Sequence, residues 1–129
     1  MRTTIFLSPP EGQTWPLDVD AAERHFRDRW PVIAPMRSTG HPAPRRSIDF
    51  DVPLEGQPVS VVYQDGGPLV LHDGTPHDWA ETIAWFLALL PADASVVTMT
   101  DVNPRPVPLE RTVSVDDIRR ILDALNGAL

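Results

Sequence analysis

Apolar residues recur along this chain in two periods. From Ser47 to Val52 they alternate, with Ile48, Phe50 and Val52 set against Ser47, Asp49 and Asp51, the pattern of a strand with one dry and one wet face. Pro53 stops that run, Glu55-Gly56-Gln57 makes a turn, and Val59, Val61 and Tyr63 continue as a second strand. Asp65-Gly66-Gly67 is a hairpin turn, and Leu69-Val70-Leu71 is the returning strand. Together these segments predict an antiparallel meander. Thr3 to Leu7 and Ser95 to Thr100 are further β-prone runs, the second with Val97 and Met99 on one side, and Leu109 to Val113 is a candidate short edge strand.

The helical period appears three times. In Thr75 to Pro91 the residues Trp79, Ile83, Phe86, Leu87 and Leu90 gather on one face, with Leu89 widening it. Thr75 is a capping residue, Pro76 suits the first helical position because it has no N–H to leave unpaired, and Asp78 stands where its carboxylate can return to the exposed amides. A helix this apolar is expected to lie across a sheet. Asp18 to Trp30 reads as an earlier helix with Val19, Ala22, Phe26 and Trp30 inward. The last runs from the capping pair Ser114 and Asp117 through Val115, Ile118, Ile121, Leu122 and Leu125, with Asn126-Gly127 as its stop.

Between these elements the chain is rich in proline. Ser8 to Pro16 is a loop with Trp15 as a candidate lid; Val32 to Arg46 reads as an extended basic connector carrying Arg37, His41, Arg45 and Arg46; and Asp101 to Pro108 as a polyproline-like connector. The expected order is β-α-β-β-β-α-β-α, a single α+β domain over residues 1–129. It is a two-layer sandwich with a mainly antiparallel sheet of about five strands and the helices packed on one face. Such a sheet leaves its other face wet, or free for a second copy or a partner.

Composition narrows the chemistry. With no Cys, disulfides, thiolate nucleophiles and thiolate-held metals are excluded, and with no Lys so are a lysine Schiff base and a phosphate-loop lysine. No nucleophile elbow, dinucleotide glycine fingerprint or paired-histidine zinc motif occurs. The first residues lack a signal-peptide pattern and the longest apolar run is far short of a membrane span, so a soluble cytoplasmic protein is expected, with no membrane partner.

The net charge of −7 is unevenly spread. Residues 1–46 hold seven Arg against five acids, whereas residues 47–129 hold four Arg against thirteen. Ser47 to Asp101 carries nine acids and no base, which disfavours nucleic acid as a partner.

Two functional readings follow. The first is a small acidic binding protein, a regulatory or neutralising (immunity-like) protein–protein interaction module for a basic partner, using Asp49, Asp51, Asp65 and an outward Trp85. The alternative is a small-molecule or anion-binding domain, or a metal-assisted enzyme. There Arg37, Arg45 and Arg46 would meet a pocket near His72 and His77, within the ligand-capable run His72 to Asp78. No cofactor is implied, no catalytic residue is singled out, and a homodimer through the free sheet face is compatible with either reading.

Overall fold

The computed structural model describes residues 3–39, 45–54 and 57–127. The chain runs β1 (Thr3–Ser8), α1 (Val19–Arg29), β2 (Met36–Thr39), β3 (Arg46–Leu54), β4 (Gln57–Gln64), β5 (Leu69–Gly74), α2 (Pro76–Leu89), β6 (Val96–Thr100), β7 (Asn103–Leu109) and α3 (Val115–Gly127). The predicted turn at Glu55-Gly56, and His41, lie outside the described residues.

The caps of α2 and α3 form as the sequence predicts, and Asp18 caps α1. Asp18 accepts from Ala21 N at the start of α1, and Ser114 Oγ accepts from Asp117 N at 3.1 Å at the start of α3. At α2 the box is reciprocal: Asp78 N donates to Thr75 Oγ1 and Thr75 N to Asp78 Oδ2, both at 3.1 Å.

All ladders are antiparallel, and the strands lie in the order β2-β3-β4-β5-β1-β6-β7. Strands β2 to β5 form a meander; β1 closes its far side and joins it to the β6–β7 hairpin. Seven strands stand where about five were expected. Both additions fall in stretches read as connectors. β2 lies inside Val32 to Arg46, and because both of its faces are exposed it carries no alternation. β7 begins inside the Asp101 to Pro108 stretch and ends at Leu109. Of the short strand expected at Leu109 to Val113 only Leu109 is in a strand; Arg111-Thr112 form a turn closed by Val113 N donating to Glu110 O. Pro108 pairs with Val97. A proline cannot donate, so that pair is a non-hydrogen-bonded one, and Val107 and Leu109 carry the bonds to β6.

One face of the sheet is dry. Ile5, Leu7, Ile48, Phe50, Val61, Tyr63 and Leu71 point to it and are buried beneath the helices. Phe26 of α1 meets Phe50 and Tyr63, with ring centroids at 5.0 and 6.2 Å, and Phe86 of α2 meets Tyr63 at 6.0 Å. Burying each such aromatic contributes on the order of 2 kcal/mol. Trp15 folds back as a lid: it is buried against Phe86 and its Nε1 donates to Ser95 O at 3.0 Å. The passage from β5 into α2 requires Gly74, since a Cβ there would overlap the indole of Trp79. Among the described residues no helix is long and apolar enough to cross a membrane.

Candidate functional site

The other face of the sheet has no helix over it among the described residues. Strand pairing places Met36, Asp49, Val62, Val70, Phe6 and Met99 in one continuous row across six strands. Val62, Val70, Phe6 and Met99 are half-buried, and Val97 lies beside them one row along, opposite Ser8. The centre of the open face is therefore apolar, and its acidic margin is Asp49 and Asp51 on β3. Both are exposed, on the same side of the strand because they stand two residues apart. Among the described residues neither side chain has an ion-pair or hydrogen-bond partner.

The arginines of the basic segment are engaged elsewhere. Arg37 projects to the helix side of the sheet, bonds Asp20, and reaches Glu23 with Nη2 at 3.2 Å. Arg46 Nε contacts Asp65 Oδ2 at 3.1 Å and its Nη1 lies 3.6 Å from Asp20 Oδ2. Hydrogen bonding from Arg37 is the chief reason the Asp20 carboxyl sits below its ordinary 3.8. For Glu23 burial works upward, but hydrogen bonds from Arg27 and Arg37 outweigh it and the pKa falls. Arg45 clamps the β4–β5 turn, donating to Asp65 O at 3.0 Å and to Gly67 O at 2.6 Å. Gly66 and Gly67 both have positive φ, which that turn requires.

The acidic residues expected at a partner surface thus divide. Asp49 and Asp51 remain on the open face. Asp65 belongs to the turn, where Oδ1 accepts from Val19 N and Oδ2 faces Arg46. Trp85 is half-buried in a cluster on the helix side with Phe26 and Trp30, centroids 6.0 and 5.9 Å away. The Arg29 guanidinium lies 5.0 Å from the Trp85 ring and 5.3 Å from that of Trp30. Burial lowers the Arg29 pKa, and Glu81 opposes that shift.

No known protein family, curated protein or solved structure matches this chain.

The run from His72 to Asp78 does not converge. His72 belongs to the open face of β5, His77 is exposed at the start of α2, and Asp78 is the capping carboxylate. Asp73 takes a positive φ of 51° where β5 bulges against β1. No group of three or more His, Asp or Glu suited to a metal occurs among the described residues. Arg45 and Arg46 sit at the Asp65 end of the sheet, and His72 at the opposite end of β5, so the anion pocket imagined between them is not assembled. Concavities are shallow: one of about 450 Å³ lies between β7 and α3, lined by Pro108, Glu110, Asp117 and Arg120 among others. Alternation along β3 sufficed to find Asp49 and Asp51; the apolar row of Phe6, Val62, Val70 and Met99 needed the strand order, which has no local signal.

Proposed function

We propose that this chain is a binding protein that docks a basic protein partner on the open face of its sheet. One observation carries the reading. Arg37 and Arg46, on β2 and β3, are taken up by Asp20, Glu23 and Asp65, which leaves Asp49 and Asp51 without an ion-pair partner among the described residues, beside an apolar row. An apolar centre with a rim of one charge suits association, because the apolar part supplies affinity and the charge supplies steering and partner choice. The regulatory or neutralising role in the cytoplasm read from the acidic composition fits that surface.

The test is affinity capture from native extract at low and at moderate salt, with wild type beside Asp49→Asn/Asp51→Asn. A stoichiometric basic partner is expected, weakened by salt and weakened about tenfold or more by the double substitution. Its salt dependence should also be shallower in the variant. Unchanged affinity and salt slope would remove the electrostatic part of the proposal.

A further inference from the structure

The two edges of the sheet are unlike. β7 carries Pro104, Pro106 and Pro108, so three residues of this edge strand have no N–H to offer, a common device against strand addition. β2 has no proline between Met36 and Thr39. Its outward groups can be assigned from the ladders. Pro53 pairs with Pro58, a pair that cannot exchange N–H bonds, and Asp65 N donates to Arg46 O. In β3 the even-numbered residues therefore bond to β4, while Ser47, Asp49 and Asp51 direct their main-chain groups the other way. Met36 and Ser38, paired with Asp49 and Ser47, bond inward, and the N–H and C=O of Arg37 and Thr39 point off the edge. No described residue pairs with them. Met36, on this edge strand, is 71% exposed.

We propose that β2 accepts an extended basic segment of the partner as an eighth strand, joined to the main chain of Arg37 and Thr39. The occupant's chemistry follows from the row next to it. On the open face an added strand would lie beside Met36, with Asp49 one strand further in, about 10 Å from the added backbone. A Lys or Arg stem packs on the exposed Met36 thioether and carries its charge toward Asp49. β2 begins at Met36, opposite Asp49, so Asp51 stands at a margin that no β2 residue covers. Main-chain bonds then give affinity and the two carboxylates select alternate basic side chains. This inference rests on the reading above and specifies how the partner is held.

The probe is a synthetic ten-residue peptide alternating Lys with Val or Thr, added to isotope-labelled protein and followed by NMR. At saturation the Arg37 and Thr39 amides should exchange about tenfold more slowly or better. Thr39→Pro removes one outward N–H and no ladder bond, so it should keep the melting temperature and lose about tenfold in peptide affinity. A peptide with Glu for Lys should not bind. Unprotected Arg37 and Thr39 amides, full affinity in Thr39→Pro, or equal binding of the Glu peptide would overturn the proposal. So would concentration-dependent protection of those amides without peptide, which would make a second copy the occupant. Peptide binding that shifts Phe6, Val70 and Met99 and ignores Thr39→Pro would remove the edge while leaving the open-face reading intact.

Discussion

Asp65 Oδ1 accepts a hydrogen bond from Val19 N at 2.6 Å, tying the β4–β5 turn to the first residue of α1. Its Oδ2 faces Arg46, and the neighbouring Gly66 N donates to Leu17 O. One carboxylate thus anchors three segments far apart in sequence. Asp65→Ala should lower stability by about 2 kcal/mol, since it strands an N–H at a helix start and releases Arg46. Asp49→Asn/Asp51→Asn, whose parent side chains touch no partner among the described residues, should stay within about 0.5 kcal/mol of wild type. Urea midpoints at constant m-value measure both. Equal losses in the two variants would refute this division of structural from free acids.

Tyr63 lies deep in the same corner, and its hydroxyl donates to Leu17 O at 2.6 Å. Burial, assisted by the charge of Asp65, lifts its phenol well above the ordinary 10.0. The unfolded chain ionises first, so the contribution is fully present below pH 10.0 and is lost as pH rises above that value. The chain has one Tyr and no Lys or Cys, so alkaline phenolate absorbance reports this residue alone. No phenolate signal should appear at pH 10.0 in the folded protein, and its onset at higher pH should coincide with unfolding. Tyr63→Phe should cost about 1 kcal/mol at neutral pH, a difference that shrinks on alkalinisation. An ordinary titration midpoint with the fold intact would contradict the buried environment.

The extent to which this architecture is legible in the sequence depends on how local each signal is. The caps Thr75 with Asp78 and Ser114 with Asp117 act within one helical turn, and each forms as read. Ile48, Phe50 and Val52 alternate because β3 has one face under helices and one without. β2 is exposed on both faces, so burial imposes no pattern on Met36 to Thr39. β7 escapes notice for another reason: proline argues against a strand unless the strand is known to lie at an edge, and that knowledge requires the sheet order. The insertion of β1 between β5 and β6 is the least local feature of all. It creates the row through Phe6, and with it the apolar half of the candidate site.

Trp85 illustrates how an aromatic off the main helix stripe can be mistaken for a free surface residue. Its ring packs on Phe26 and Trp30 and lies under the Arg29 guanidinium. Trp85→Ala should therefore destabilise the fold by about 2 kcal/mol, and Arg29→Ala by about 1 kcal/mol, through lost packing and lost cation–π attraction. Denaturant midpoints test this. A Trp85→Ala protein of wild-type stability that binds its partner less well would return the residue to the interface.

The edge strand that we infer to receive a partner is itself held by charge. Arg37 of β2 bonds Asp20 of α1, and Arg46 of β3 approaches the same carboxylate. The Arg37 hydrogen bond chiefly, opposed by desolvation and helped by the charges of Arg37 and Arg46, depresses the Asp20 pKa below 3.8. A depressed carboxyl stabilises above its ordinary pKa, and that contribution disappears as pH falls through the lower, folded value. The side chain of Asp20 is exposed, so salt screens the pair. NMR of the Asp20 carboxyl carbon should give a midpoint under 3.8 that rises toward it in Arg37→Gln and in high salt. Amide protection at Met36 and Ser38 should weaken over the same acid range, because the tether to α1 is lost while the β2–β3 ladder remains. If Asp20 titrated at 3.8 in wild type and Arg37→Gln alike, the charge tether would be absent and β2 would be held by its ladder alone.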